Sequence, residues 1–227
     1  MTPPSPHSQN TSSVKLDFTL ILASASPRRA ELLQQAGYEF FVMVSPVSEP
    51  TRRPSSVPVR LWPACVAGIK AQAVAKRFIK PTIVLAADTI VVLGKQIINK
   101  AADRKQAREI LWRLSEREHQ VVTGIALMLG DHCRFASEVS VCKMRKVSEA
   151  WLKDYLNSDL WKGKAGAYGI QDCTADATGE KLHDPMVELV SGEWSNVVGL
   201  PMKLLTREID RLQSDFQNDM QNKRNTP

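Results

Sequence analysis

The sequence is poor in cysteine and arranges it in no metal-binding pattern. Of its 227 residues only four are cysteine, and no two of them form a C-x-x-C pair or show the spacing of a zinc site. Neither a disulfide-stabilised secreted domain nor a zinc domain is therefore expected. The thiols should be reduced, as in a cytoplasmic protein. They are Cys65, Cys133, Cys142 and Cys173.

Long apolar segments are also missing. No run approaches the roughly 20 apolar residues that a membrane span requires. Residues 1–13 are rich in Pro, Ser and Thr and lack the apolar centre of a signal peptide. The sequence therefore predicts a cytoplasmic protein that has no membrane as a partner.

Aromatic residues make up only 6% of the chain, and no strand-like segment is studded with them. Proteins that hold single-stranded nucleic acid stack bases on such residues. The net charge of +6 would suit nucleic acid, but also a small polyanion. A nucleic-acid module would need its basic residues on one face, whereas pairs such as Arg28-Arg29 and Lys76-Arg77 are spread along the chain. We therefore expect a small polyanionic ligand and no nucleic acid.

Neither a P-loop nor a G-x-G-x-x-G motif is present, so a phosphate site has to come from another pattern. The best candidate is residues 22–29, Leu-Ala-Ser-Ala-Ser-Pro-Arg-Arg, which follow a strand-like run. Ser26 is a suitable N-cap, and Pro27 suits the first position of a helix. Unpaired amides at the helix start, together with Arg28 and Arg29, predict a site for phosphate. The alternative is an ordinary turn with two solvated arginines.

A second candidate is a carboxylate followed by a lysine. The apolar strand predicted over 82–87 ends at Asp88, and a hairpin over 90–98 then returns the chain to Lys100. We expect Asp88 and Lys100 to be neighbours, with the carboxylate positioning a metal or water and the ammonium contacting phosphate. A plain salt bridge between them is the alternative.

The third candidate is the loop at residues 164–171, Lys-Ala-Gly-Ala-Tyr-Gly-Ile-Gln. Its glycines and alanines would let the backbone approach a flat ligand closely. Gln171 offers both a donor and an acceptor, which reading the edge of a base requires. Alternatively this is a glycine-rich loop whose Tyr168 and Ile170 belong to the core.

Helical and strand patterns alternate between two polar ends of the chain. Strand–helix units and hairpin-like strand pairs occur together, which predicts a mixed α/β sheet. We expect residues 1–15 to form a disordered tail and residues 16–212 a single two-lobed domain. Its last helix should end at Leu212, and residues 213–227 should form a polar, fraying end.

Seven segments, in order between residues 18 and 205, resemble the Maf family of nucleoside triphosphate pyrophosphatases. The resemblance implies a two-lobed mixed α/β fold like that of inosine triphosphatases, with a nucleotide in a central cleft. It also implies hydrolysis of a nucleoside triphosphate to the monophosphate and pyrophosphate, with a divalent metal, Mg²⁺ or Mn²⁺. The matching segments are Leu22–Arg29, Glu49, Ala87–Val91, Lys100, His119–Gly124, Lys164–Gln171 and Asn196–Pro201.

The resemblance and the charge of a triphosphate together assign the site. Asp88 is expected to be the base that orients the attacking water and, with Glu49, to hold the metal. The family's branches differ in substrate at the positions of Arg28, Thr89 and Gln171, and this combination resembles the branch acting on dTTP and UTP. The expected substrate-binding residues are Ser24, Ser26, Arg28, Arg29, Lys70, Thr89, Lys100 and Gln171.

The chain departs from the family pattern at three places. Ala101 stands where the family has proline, and the helix around Lys70 lacks the family's arginine. Asp172 and Cys173, followed by a polar insert at residues 174–184, stand where the family continues with glycine.

A non-catalytic nucleotide or nucleic-acid binder, such as a regulator of cell division, is the other function that these residues allow. The same arginines and lysines would serve it, but it would have no use for two carboxylates. Whether Glu49 and Asp88 converge on one space therefore separates the enzyme from the binder. A homodimer is compatible with the sequence, which does not itself give the oligomeric state.

Overall fold

A mixed sheet forms the centre of the molecule, whose computed structural model describes residues 14–50, 52–172 and 186–225. Its strands are β1 (Leu20–Leu22), β2 (Phe41–Val42), β3 (Ile83–Leu93), β4 (Gln96–Ile98), β5 (Glu118–Leu129), β6 (His132–Met144) and β7 (Val187–Ser191). Their order is β2-β1-β3-β5-β6-β7, and β4 pairs with β3 outside this row.

Helices connect and cover these strands. They are α1 (Pro27–Gln35), α2 (Trp62–Ala75), α3 (Arg104–Leu114), α4 (Glu149–Asn157), α5 (Trp194–Val198) and α6 (Met202–Asn225), and a 3₁₀ turn (Val59–Leu61) precedes α2. β1 is parallel to β2 and β3, whereas the other strand pairs are antiparallel. The prediction of a mixed α/β fold is confirmed.

Alternation of side chains along β3 divides the core between the two faces of the sheet. Leu85 and Ala87 belong to the larger cluster, which also contains residues of α3, α4 and α6. Val84 and Ala86 belong to the cluster that packs against α2. Because side chains of a strand alternate between faces, Asp88 shares the face of Ala86 and points towards α2.

α2 lies unusually close to this face, and a glycine makes the approach possible. Gly124 of β5 pairs with Asp88 of β3. A Cβ at Gly124 would lie 2.0 Å from the backbone nitrogen of Ala64, near the start of α2. The start of α2 and the middle of β3 are therefore held next to each other.

The C-terminal helix is longer than the sequence predicts. Residues 213–225 continue α6, which corrects the helix end expected at Leu212. Phe216 packs edge-on against Phe18, with ring centroids 5.2 Å apart, and this contact anchors the extension. No helix in the described part of the chain, α6 included, is long and apolar enough to cross a membrane.

The N-terminal end of the described chain is also paired. The backbone N–H of Val14 donates to the carbonyl of Gly37 at 2.9 Å. Residues 1–13 of the predicted tail at 1–15 lie outside the described residues, as do Cys173 and the polar insert at 174–184.

Candidate active site

The candidate site opens beside β3, in a gap between two neighbouring strands. β1 pairs with residues 83–85 of β3, and β4 pairs with residues 91–93. Asp88 lies between these two stretches. The expectation that its strand ends at Asp88 is wrong, since β3 continues to Leu93 and it is the neighbouring β1 that ends. The sequence of β3 alone could not show where its neighbour stops.

Lys70 of α2 joins the two predicted carboxylates. Its Nζ lies 2.7 Å from Oε1 of Glu49 and 3.0 Å from Oδ1 of Asp88. The side chains of Lys70 and Asp88 are each only 11% exposed, whereas Glu49, in the loop after β2, is half exposed. Glu49 and Asp88 therefore converge on one space.

Lys100 borders the same space from the end of the β3–β4 hairpin. It lines a cavity together with Asp88, so the expected proximity of the two residues is found. Its Nζ nevertheless lies 3.4 Å from Oε2 of Glu49, and the ion pair of Asp88 is with Lys70. The alternative of a plain salt bridge between Asp88 and Lys100 is therefore wrong. Burial alone would raise the pKa of Glu49, but the hydrogen bond and charge of Lys70, with those of Lys100, bring it below its ordinary value.

The β1–α1 turn forms the next wall. Ser26 stands at the N-cap position and Pro27 begins α1, as predicted, but the Ser26 hydroxyl makes no capping hydrogen bond. Instead the N–H of Ser26 donates to Oγ of Ser24 at 3.2 Å. Both serines and Arg28 line the cavities at the start of α1.

Arg29 is held by protein acceptors on three sides. It donates to the Gly199 carbonyl at 2.8 Å, to Oγ of Ser24 at 2.9 Å and to Oγ1 of Thr89 at 3.2 Å. Thr89 in turn lies 2.9 Å from the hydroxyl of Thr123 on β5. Burial and the charge of Arg28 lower the pKa of Arg29, while the charges of Asp88 and Glu49 oppose this. The arrangement makes Arg29 a link between α1, β3 and the loop after α5.

The loop at 164–171 lies across the gap from α1. Gly166 and Ala167 adopt positive φ angles of 71° and 58°, which turn the chain sharply. Tyr168 and Ile170 are buried and belong to the core, as the alternative interpretation of this loop has it. Gln171 is exposed and lines the same cavity as Arg28 and Asp88.

All the residues that the sequence analysis predicts for the site thus line one cleft. Its walls are the β1–α1 turn, α2, the middle of β3, the end of the β3–β4 hairpin and the loop at 164–171. Those residues are Ser24, Ser26, Arg28, Arg29, Glu49, Lys70, Asp88, Thr89, Lys100 and Gln171.

Most of the chain matches a known protein family. The sequence model of a family described as Maf-like protein matches residues 19–212. The chain belongs to the Maf family. The matched span includes all the strands and all the residues of the cleft.

Relatives within the family cover most of this chain. A dTTP/UTP pyrophosphatase of Symbiobacterium thermophilum is 43% identical over 81% of this chain and 88% of its own length. One of Cereibacter sphaeroides is 39% identical over 82% and 90%, and one of Pyrococcus furiosus is 35% identical over 84% and 94%. A solved dITP/XTP pyrophosphatase of Mycobacterium abscessus, 14% identical with a TM-score of 0.37 over 88% of this chain and 97% of its own, is too distant to add to the family assignment.

Sequence reasoning about this Maf family member missed a second polar cluster behind Gln171. Asp172 accepts hydrogen bonds from the ammonium of Lys164, from the Tyr155 hydroxyl at 2.6 Å and from the Gly169 N–H at 2.8 Å. The sequence does show that aspartate stands at position 172 where the family has glycine. It does not show the partners of that aspartate, because Tyr155 lies on a separate helix, α4.

Proposed function

We propose that this chain hydrolyses dTTP and UTP to the monophosphate and pyrophosphate. The observation that carries the proposal is the convergence of Glu49 and Asp88 on Lys70, in the cleft that Arg28 also lines. A protein that only binds polyanions has no use for two carboxylates beside its phosphate site. The relatives described above, which are dTTP/UTP pyrophosphatases, support the same activity.

Cationic side chains on three sides of the cleft fit a triphosphate. Arg28 at the start of α1, Lys70 on α2 and Lys100 after β4 all line one cavity. Guanidinium and ammonium groups bind phosphate oxygens, and they stabilise the charge that develops on the leaving group. None of the hydrogen bonds among the described residues uses the guanidinium of Arg28, which leaves its donors available to substrate.

Asp88 is the proposed base. Its carboxylate accepts a proton from the water whose oxygen attacks the α-phosphorus. The bond between that phosphorus and the bridging oxygen of the β-phosphate breaks, and pyrophosphate leaves with the electron pair. Lys70, whose Nζ lies 3.0 Å from Oδ1, fixes the orientation of the carboxylate.

The residues around Lys70 fit a divalent cation such as Mg²⁺ or Mn²⁺. Glu49 and Asp88 supply hard oxygen ligands and already share one cationic group, the ammonium of Lys70. The described residues contain no cluster of three or more His, Cys, Asp or Glu side chains, so the other ligands would come from water and phosphate oxygens. When bound, the cation offsets negative charge on the phosphate oxygens.

Gln171, with Arg28 and Thr89, is the proposed determinant of the base. The amide of Gln171 can donate to and accept from the edge of a uracil or thymine ring. The proposal includes a cytoplasmic location, where nucleoside triphosphates are available. It includes neither nucleic acid nor a membrane as a partner. A homodimer remains compatible with it.

The test is a panel of nucleoside triphosphates incubated with the protein and Mg²⁺ or Mn²⁺, with separate assays for pyrophosphate and orthophosphate. We expect pyrophosphate from dTTP and UTP in preference to purine triphosphates, and loss of activity in excess EDTA with recovery on adding the cation. Stepwise release of orthophosphate, or full activity in EDTA, would contradict the proposal. Tight binding of nucleotides without any hydrolysis would favour the non-catalytic binder.

A further inference from the structure

A buried carboxylate lies directly behind the residue proposed to read the base. The side chain of Asp172 is 7% exposed, although aspartate is seldom buried unless it is paired. Its oxygens accept from Lys164, from Tyr155 of α4 and from the backbone of Gly169. Two residues of the loop at 164–171 and one of α4 thus converge on one carboxylate.

These contacts close a four-residue turn at both ends. The N–H of Asp172 donates to the carbonyl of Gly169 at 3.0 Å, and the N–H of Gly169 donates back to Oδ2 of Asp172 at 2.8 Å. Gln171 is the third residue of this turn. Its backbone is therefore fixed immediately before the carboxylate that ties the turn together.

The space inside the turn is matched to the carboxylate. A Cβ at Gly169 would lie 2.7 Å from Oδ1 of Asp172, so only glycine leaves room for the bound side chain. The hydroxyl of Tyr155 remains a donor, because burial and the charge of Asp172 raise the pKa of Tyr155 well above its ordinary value.

The charge of Asp172 is balanced within the same cluster. The ammonium of Lys164, whose side chain is 9% exposed, is its ion-pair partner. Burial lowers the pKa of Lys164, and the nearby charge of Arg28 lowers it further, whereas Asp172 raises it. The ammonium of Lys164 is thus paired with Asp172, although Lys164 lines the cavity together with Arg28.

We infer that Asp172 is a positioning residue for Gln171: by clamping the turn at 169–172, it sets how Gln171 meets the base. The inference rests on the proposed hydrolysis of dTTP and UTP and deepens it by adding a determinant of base selectivity. Asp172 itself is not among the residues that line the cavity of Arg28 and Gln171. Its removal should therefore affect recognition of the base more than the chemical step.

The decisive comparison is between two double variants that share the change Lys164→Met, so that neither contains an unpaired buried ammonium. With Asp172→Asn the side-chain oxygen can still accept from Gly169 and Tyr155, whereas with Asp172→Ala it cannot. Kinetics with UTP and GTP should show a KM for UTP raised about tenfold in the alanine variant, with kcat changed less than about threefold. The ratio of kcat/KM for UTP to that for GTP should fall about tenfold in the alanine variant. In the asparagine variant it should stay within about threefold of wild type.

Two further variants complete the experiment. Asp159→Asn breaks an exposed ion pair with Lys162, shortly before the loop at 164–171. It should leave the ratio of kcat/KM for UTP to that for GTP unchanged. Tyr155→Phe removes one donor to Asp172 and should lower that ratio about threefold, which keeps the test available if the alanine variant does not fold.

The outcomes separate the two proposals. Wild-type protein that releases no pyrophosphate from UTP overturns the proposed function. Active wild type whose UTP-to-GTP ratio survives both Tyr155→Phe and the alanine double variant overturns the role of Asp172. An equal loss of kcat for both nucleotides, with the ratio kept, also contradicts positioning of the base.

Discussion

Replacing Asp88 by asparagine tests the proposed base with almost no change of shape. The amide oxygen of Asn can still accept from Lys70, which lies 3.0 Å away, so the variant should fold and bind nucleotide. It cannot accept a proton from water, and kcat should fall by about 10²–10⁴. Pyrophosphate release measures this, and nucleotide binding by calorimetry checks the site. Asp154→Asn, an exposed carboxylate on α4, is the control; more than about a tenth of the wild-type rate in Asp88→Asn would remove Asp88 as the base.

Gln171→Glu is expected to weaken the pyrimidine preference. An ionised glutamate only accepts hydrogen bonds, so the donor to the base is lost. The new negative charge also lies in the cleft that is proposed to bind the negatively charged triphosphate. The ratio of kcat/KM for UTP over GTP should fall by about tenfold or more. Gln72→Glu adds the same charge at an exposed position of α2 and should leave the ratio unchanged. If the kcat/KM of the wild type is higher for GTP than for dTTP and UTP, the pyrimidine assignment is wrong, although the pyrophosphatase proposal stands.

At the scale of elements, the contact between α2 and β5 determines where Lys70 sits. Gly124→Ala would place a Cβ 2.0 Å from the backbone of Ala64, and backbone cannot rotate aside. We expect a loss of about 3 kcal/mol or more in the free energy of unfolding, with reduced activity because α2 carries Lys70 away from Asp88. Urea unfolding and pyrophosphate release measure the two effects.

Gly68→Ala, on α2 itself, is the matched control for Gly124→Ala on β5. Its Cβ would meet only the ring of Phe135, 2.5 Å away, and that ring is half exposed and can turn aside. Alanine also favours the helix by about 1 kcal/mol over glycine. Stability should therefore change by about 1 kcal/mol or less, and equal losses in both variants would show that the close approach at Gly124 is unimportant.

Local signals predict most of the elements. The Asp103 side chain accepts from the N–H of Gln106 at 2.7 Å, and the Ser148 side chain accepts from the N–H of Trp151 at 3.1 Å, so α3 and α4 each begin at a side-chain cap. Such caps depend on residues three positions apart, which a sequence shows directly.

Contacts between distant residues were not predictable in the same way. The polar residues 213–225 stay helical because Phe216 packs on Phe18 and because Gln217 donates to Asp17 at 2.7 Å. Lys70 meets both carboxylates only because α2 crosses the face of β3. The clamp at Asp172 likewise needs Tyr155 from α4. The resemblance to a family supplied the members of the site, and the structure supplied their pairing.

For the whole molecule, a buried histidine links stability to pH. His119 of β5 is 2% exposed, and its Nε2 lies 2.6 Å from the hydroxyl of Tyr168 in the loop of the site. Burial lowers the pKa of His119 to about 4, although the carbonyl of Arg117 opposes this. Its neighbours remain uncharged, since burial raises the pKa of Cys142 to about 11 and raises that of Tyr168 as well. The described groups that lie within hydrogen-bond distance of its ring, the Arg117 carbonyl and the Tyr168 hydroxyl, carry no negative charge to balance a proton on His119.

The sign of the effect follows from proton binding. Between pH 6.5 and pH 4 the unfolded chain protonates His119 and the folded chain does not, so unfolding becomes easier as the pH falls. The free energy of unfolding should decrease by about 1.4 kcal/mol per pH unit, or about 3 kcal/mol over the window. Glu49 contributes separately, below its ordinary pKa of 4.5, and only weakly because it is half exposed. Urea unfolding from pH 7 to pH 4, repeated with His119→Gln, isolates the histidine. The variant should lose this slope while remaining less stable at pH 7, and parallel curves for the two proteins would show that His119 is not the group responsible.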